Sequence, residues 1–410
     1  MMKKPELLAP AGSLAKLKIA ITYGADAVYV GGEEFSLSVA AENFSVEELA
    51  EGVEFAHQRG KKVYLTANII PHNSDIAEYE EFLKKYMSAG FDAVILSDLG
   101  MFQLTREIAP ELEIHVSTQA NNVNFKSAES WYKMGAKRVI LAREMSFDEI
   151  SEIREKTPEG LELEAFVHGA MCISYSGRCL LSNYLTNRDS NLGACSHPCR
   201  WKYFLMEETR PGEYMPVFEN ERGTFIYNSK DLCMIEHIDK LIESGLDSFK
   251  IEGRVKTEYY LATVVKAYRD AIDSYFENPE SFEVNPMWLE ELKKVSHRDY
   301  TTGFFFRKPG GDEQNYKTGS YIRNYELLGI VEGYDPETGM LSVVQKNRFF
   351  KGSEVEFLRP HGDFVKHTIQ YMEDEEGDEL EVANRPQSIA RIKIDTPIEK
   401  DSMMRGVREN

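Results

Sequence analysis

The chain has 410 residues, 42% apolar and 28% charged, which places it among ordinary globular proteins with room for one large domain and a smaller one. No apolar run approaches the roughly 20 residues of a bilayer span and no targeting segment is read, so a cytoplasmic protein with no membrane partner is expected. A formal net charge of -20 excludes indiscriminate nucleic-acid binding, which depends on Lys and Arg against phosphates, and leaves room only for a local basic site.

Short runs rich in Val, Ile and Leu recur at Glu6–Pro10, Ala27–Gly31, Lys62–Ala67, Ala93–Ser97, Glu113–Ser117, Arg138–Ala142, Leu161–Val167 and Ser248–Glu252. Between them lie helical patterns with start signals of their own. Ser45-Val46-Glu47-Glu48 and Ser146-Phe147-Asp148-Glu149 have capping-box form. Gly24, Gly90, Gly135 and Gly245 each close a helix just before a strand. Eight buried-type strands alternating with helices predict an α/β fold, a (β/α)8 TIM-like barrel over residues 1–285. An open doubly wound sheet is the competing arrangement.

The interval between the seventh and eighth runs is much longer than the others. With Lys230–Gly245 read as the seventh helix, residues 168–229 form a cysteine-rich insertion after strand seven, on the face where such barrels carry their chemistry. Beyond Pro286, the runs Tyr300–Phe306, Leu328–Tyr334, Met340–Val344, Glu354–Leu358 and Ile389–Ile394 alternate with turns. They predict a small C-terminal all-β, barrel-like domain over 286–410. There Lys346, Arg348 and Lys351 bracket Phe349-Phe350, a pattern suited to a stacked base and its phosphate or to a plain solvated strand edge.

Four of the five cysteines crowd into the insertion as Cys172-x6-Cys179-x15-Cys195-x3-Cys199. In a chain without an export signal, clustered thiols read as metal or redox ligands rather than disulfides. Two separated pairs suit a cubane 4Fe-4S cluster; zinc prefers tighter C-x2-4-C pairs, and unligated thiols are the third reading. Cys233, read onto the seventh helix, is either a core thiol or an alternative ligand to Cys199. From Phe166 to Leu205 the chain carries Arg178, Arg188, Arg200 and Lys202 against the single acid Asp189, interleaved with Tyr175, Tyr184, Trp201 and Tyr203. Such a segment can engage phosphates and splayed bases, or neutralise a cluster and shield it.

The run from Glu164 to Ser182, which includes Phe166-Val167-His168-Gly169-Ala170-Met171-Cys172 and Gly177-Arg178-Cys179, resembles the signature of peptidase family U32, the collagenase-like proteases of unassigned catalytic type. Leu8-Ala9-Pro10-Ala11-Gly12, His115-Val116-Ser117-Thr118-Gln119-Ala120, Asn228-Ser229-Lys230-Asp231-Leu232 and Lys250-Ile251-Glu252-Gly253-Arg254 extend the resemblance across nearly the whole barrel. Within the family the chain is similar to the prephenate-dependent tRNA uridine hydroxylases. That resemblance implies wobble-uridine hydroxylation to 5-hydroxyuridine, tRNA as partner, prephenate as co-substrate and an iron–sulfur cluster on Cys172, Cys179, Cys195 and Cys199. Collagenase-like peptidase activity, or a noncatalytic cluster-bearing subunit that needs a paralogous family member, are the alternatives.

Strand ends supply the remaining candidates. His115, Gln119 and Asn121 follow strand five, Arg143 and Glu144 strand six, and Lys250, Glu252 and Arg254 strand eight. Arg143 and Arg254 offer planar forks for the two carboxylates of prephenate, with Lys250 assisting. An ion-pair ring of Arg143, Glu252 and Arg254 that only closes the barrel is the other reading. His168, at the end of strand seven, is a candidate proton shuttle or, the plainer reading, a satisfied barrel-end histidine. Neither a GxSxG elbow nor an HExxH helix occurs, which argues against two common hydrolase designs.

Overall fold

The computed structural model describes residues 3–36, 43–172, 174, 176, 179, 181–200, 219–220, 223–224, 230–307 and 321–408. Seven strands, β1 (Glu6–Pro10), β2 (Ala27–Gly31), β3 (Lys62–Ala67), β4 (Ala93–Leu96), β5 (Glu113–Val116), β6 (Arg138–Ile140) and β7 (Glu162–Ala170), pair in sequence order, each parallel to the next. Between β7 and the eighth barrel strand lies β8 (Asp231–Cys233); the eighth barrel strand itself is β9 (Ser248–Ile251). It pairs in parallel with both β1 and β7, which closes the barrel. The expected TIM-like barrel is therefore formed, and a doubly wound open sheet is excluded by that closure.

Local chemistry explains the alternation. Ser45 and Ser146 each make both halves of the expected capping box, fixing the starts of the helices Val46–His57 and Phe147–Lys156. Gly24, Gly90, Gly135 and Gly245 all have positive φ, so each helix reverses into its strand without a Cβ penalty. Outward-facing strand residues such as Leu7, Val28, Val63, Val94, Val139 and Phe249 are buried against the helix layer.

Two elements differ from expectation near the insertion. Residues 231–233, read as helical, form β8, antiparallel to the end of β7 with Cys233 opposite His168; a 3-10 turn and the short helix Ile238–Glu243 follow. The run expected at Tyr300–Phe306 yields only β10 (Tyr300–Thr301), which pairs with β8 on the barrel sheet rather than with the C-terminal strands. Both are tertiary effects: a hydrogen-bonding edge beyond the barrel's rim is available only after β7 overshoots it.

The C-terminal region is an antiparallel seven-stranded sheet in the order Val365–Thr368, Glu354–Leu358, Met403–Val407, Tyr325–Asp335, Met340–Gln345, Ile389–Lys393, Met372–Glu373. It is all β, as expected. Phe349–Phe350 pairs with Val382–Ala383; Phe349 is buried, and Lys351 is held by Glu379 and Glu381, so this stretch is a neutralised strand edge. The fully buried Arg405 joins the two regions by pairing with Glu291 beside the barrel at 2.6 Å and with Glu356 on the sheet at 2.9 Å.

Candidate functional site

Strand alternation decides which side chains meet inside the barrel. Tyr29, Thr66, Ile95, Ile140, Phe166 and Lys250, one pleat position from each of six strands, and Ser117 just past β5 line a cavity of about 290 Å³ at the C-terminal mouth. The insertion forms its lid. Cys172, Cys179, Cys195, Cys199, Ser190, Asn191 and His197 line the same cavity from above, and Arg143, Glu252 and Arg254 complete its rim.

Hydrogen bonds hold the lid on the barrel. The Ile70 amide donates to the Asn191 carbonyl at 3.1 Å, tying the loop after β3 to the insertion. Glu144 accepts from the Ser176 amide at 3.1 Å, and the Ser190 hydroxyl donates to the Cys179 carbonyl at 2.8 Å. Ser182 and Thr186, on the short helix Leu181–Thr186, share the Ser196 hydroxyl, next to Cys195.

All four insertion cysteines are free thiols facing one cavity. Cys172 is pushed up by burial, with its neighbours Cys179 and Cys195 adding to that rise, while the Ser174 amide and the Arg143 guanidinium favour its thiolate. Among the described residues, the side chains are not drawn into a closed set of three or more metal-ligating groups. What fits a thiolate-bound cluster is the donor set: four unbridged sulfurs on one lid with a guanidinium beside them. Cys233 stands elsewhere. It lies in β8, buried and hydrogen-bonded to Tyr268, with its thiol pushed up to about 12, and it lines a different cavity. Of the two candidates for fourth ligand, Cys199 shares the cavity with the other three cysteines and Cys233 does not.

The cationic candidates converge. Arg143 stacks over Phe166 at 4.1 Å, donates to the Ala170 carbonyl at 2.9 Å and lies 3.7 Å from Glu252, leaving its Nε buried without a partner. Lys250 is 4% exposed, with Nζ 3.0 Å from Glu164 and over the rings of Tyr29 at 4.2 Å and Phe166 at 5.5 Å. Arg254 donates to Thr66 at 2.9 Å and to Ser36; no carboxylate among the described residues pairs with it directly. Half of the ion-pair-ring reading is thus present, as Arg143 with Glu252, while Arg254 turns to hydroxyls. Arg178 lies outside the described residues.

His168 is not in the site. Pairing along β9 shifts register, with Lys250 opposite Phe166 and Ile251 opposite His168, so Val167 is the extra residue of a bulge. One inserted residue flips the alternation and turns His168 outward, among the rings of Tyr260, Tyr268 and Tyr300 at 5.5–6.0 Å. Burial there drives its pKa down to about 3, and the ring packs as a barrel-end histidine, apart from the residues that line the cavity. Conversely, Glu164, Tyr29, His197 and Asn191 went unread. Glu164 was visible as an acid inside an apolar strand, and His197 as a histidine within the last cysteine pair; Tyr29 and Asn191 carried no such mark.

The model of "Peptidase family U32" matches residues 12–315, and that of the "Peptidase family U32 C-terminal domain" matches residues 323–405. The chain belongs to peptidase family U32. This U32 member is 47% identical to "tRNA hydroxylation protein P1" of Bacillus subtilis (strain 168), covering 98% of this chain and 95% of that protein. To "tRNA hydroxylation protein P2" of the same organism it is 38% identical, over 75% of this chain and 99% of that one. A "Collagenase" of Porphyromonas gingivalis (strain ATCC BAA-308 / W83) is 32% identical over 82% of this chain and 84% of that protein. Among the described residues, no helix is long and apolar enough to cross a membrane.

Proposed function

We propose that this U32 protein is a cytoplasmic tRNA-modifying enzyme that hydroxylates the wobble uridine at carbon five, with prephenate as co-substrate and a 4Fe-4S cluster on Cys172, Cys179, Cys195 and Cys199. The observation that carries the reading is a cavity with four free thiols on its lid and Arg143, Lys250 and Arg254 on its walls, in a chain similar over nearly its whole length to a tRNA hydroxylation protein. When bound, the cluster supplies one-electron redox chemistry or an open iron. The chain's own residues bind and orient. Arg143, on the cavity rim, takes one carboxylate of a dianion, and Arg254, which donates to the Thr66 and Ser36 hydroxyls, takes the other. Glu252 holds Arg143 at the rim, and Lys250 adds positive charge from the floor. In a protein of net charge -20, the basic stretch from Phe166 to Leu205 is the segment that suits an RNA backbone.

The collagenase relative favours a peptidase as the second reading. Such an enzyme needs a base beside a cysteine: His168 packs outside the cavity, and His197 is the histidine that lines it with the cysteines. The P1 and P2 pair in one organism favours the third, a subunit working with a paralogue.

The test is a deletion strain rescued by this chain alone, with tRNA nucleosides read by mass spectrometry and iron and sulfide assayed on anaerobically purified protein. Rescue should restore 5-hydroxyuridine-derived nucleosides, and Cys179→Ala should lose both cluster and modification. Modification that survives in a cluster-free variant removes the cluster from the reaction, and activity only with a paralogue present selects the subunit reading.

A further inference from the structure

The interior of a (β/α)8 barrel is ordinarily filled by layers of branched apolar side chains. Here a ladder of ions runs through it. Lys250 on β9 contacts one oxygen of Glu164 on β7 at 3.0 Å, and the other oxygen accepts from Arg138 on β6 at 2.8 Å. Arg138 continues to Glu6 on β1 at 2.6 Å and to Glu162 at 2.7 Å; Tyr64 and Ser248 also donate to Glu6. Glu164 is 0% exposed, so both of its oxygens are satisfied by cations on either side.

Among the described residues, Lys250 shares its one direct carboxylate partner with Arg138, which Glu6 and Glu162 also hold. Glu164 divides its charge between two cations, and the ammonium's other near neighbours are the faces of Tyr29 and Phe166, both cavity walls. Both Arg143, at 4.1 Å, and Lys250, at 5.5 Å, lie over the Phe166 ring. The Lys250 ammonium thus reaches the cavity wall from a ladder that sets two cations against three carboxylates. Ion pairs buried this deeply are no cheaper than apolar packing, so a role in the site is the better account of the ladder.

We infer that Glu164 is a positioning residue: it keeps the Lys250 ammonium charged and aimed into the cavity, where Lys250, Phe166 and Arg143 form the subsite for a carboxylate of the substrate. The inference rests on the reading of the cavity as a dicarboxylate site. Burial pulls the Lys250 pKa down, and Glu164, with Glu252 at the rim, holds it up against the added repulsion of Arg138. Arg143, the buried Tyr29 hydroxyl and His115, whose pKa burial lowers, also lie around this rung. Without Glu164, the ammonium loses its proton at lower pH, and anion binding is lost with it.

The experiment is Glu164→Gln in the full chain, with Lys250→Met as reference, read two ways. Carbon-13 lysine labelling, with the Lys250 resonance assigned by its absence in Lys250→Met, gives the ammonium's titration midpoint; calorimetry with prephenate gives binding. Glu164→Gln should move the midpoint down and weaken prephenate at least about tenfold, about 1.4 kcal/mol, and should have little effect once Lys250 is already Met. Should Glu164→Gln not fold, Glu164→Asp, which keeps the charge but withdraws it by one methylene, is expected to shift both readouts the same way. An unmoved midpoint, or equal weakening in the Lys250→Met background, overturns the inference. A lowered midpoint in a protein whose wild type binds no prephenate supports the positioning of Lys250 and defeats the co-substrate reading instead.

Discussion

His168 and Lys250 are both titratable residues on neighbouring strands of one barrel, and a single bulge separates their fates. Lys250 faces a cavity with an acid beneath it, whereas His168 faces tyrosines. The sign of the histidine's contribution to stability follows. Its folded pKa of about 3 lies below the roughly 6.5 of an unfolded chain, so the unfolded state takes up a proton that the folded state refuses. Stability from this residue is complete above about pH 6.5 and is lost as pH falls below it. We expect the urea midpoint to drop between about pH 7 and 5, and the drop to be smaller in His168→Phe, with the pH profile of tRNA modification unchanged. A modification rate that loses its acidic limb in His168→Phe would return the histidine to the chemistry. At this scale, residue types and spacing exposed the cysteines, Arg143, Lys250, Glu252 and Arg254, because thiols and buried cations are rare enough to stand out. Which way each side chain points was legible only where alternation ran unbroken.

Among the elements, β7 carries the most information. It extends past the barrel rim to Ala170, adds β8 along its overshoot and delivers the chain into the cysteine lid. Gly169 makes this possible. Its φ is +109°, and a Cβ there would lie 2.7 Å from both the carbonyl oxygen and the Cβ of Glu252. Two backbones meet at the rim with no space for a side chain. Gly169→Ala combines a left-handed strain with a backbone clash, and a loss of about 1–3 kcal/mol is expected, together with displacement of Glu252 from Arg143. Thermal melts measure the first; weaker binding of the proposed co-substrate, prephenate, per folded molecule measures the second. An unaltered melting temperature would mean that the rim is more pliable than this close approach implies. The barrel strands were readable because each is a short apolar run punctuated by glycine. Residues 231–233 were misread because a three-residue strand has no periodicity, and its partners lie far away in sequence, 61 to 65 residues earlier on β7 and 69 residues later on β10.

For the molecule as a whole, the question is how an all-β region stays fixed on a barrel. Arg405 is 0% exposed and bridges Glu291, beside the barrel, to Glu356 on the C-terminal sheet, while Lys294 contacts both acids at 2.7 Å. The Tyr23 hydroxyl, on the barrel, donates to the carbonyls of Leu358 and Asp401 across the same junction. Removing one member of such a network strands buried charge. Arg405→Met leaves two acids to one lysine and should cost about 3–5 kcal/mol, and denaturant unfolding should separate into two transitions as the regions uncouple. A single transition at the wild-type midpoint would show that apolar contacts alone hold the junction.

By itself, the order of residues determined the eight-strand alternation, the all-β tail and the crowding of four thiols after strand seven. Those signals are local: a strand, a turn or a cysteine pair declares itself within a few residues. Only the tertiary structure decided that Glu164 meets Lys250, 86 positions away, that Arg138 reaches Glu6 across 132, and that Cys199 rather than Cys233 shares the lid cavity. Barrel closure brings distant strands side by side, and one bulged residue reverses every later side chain, so facing and partnership are properties of the closed sheet.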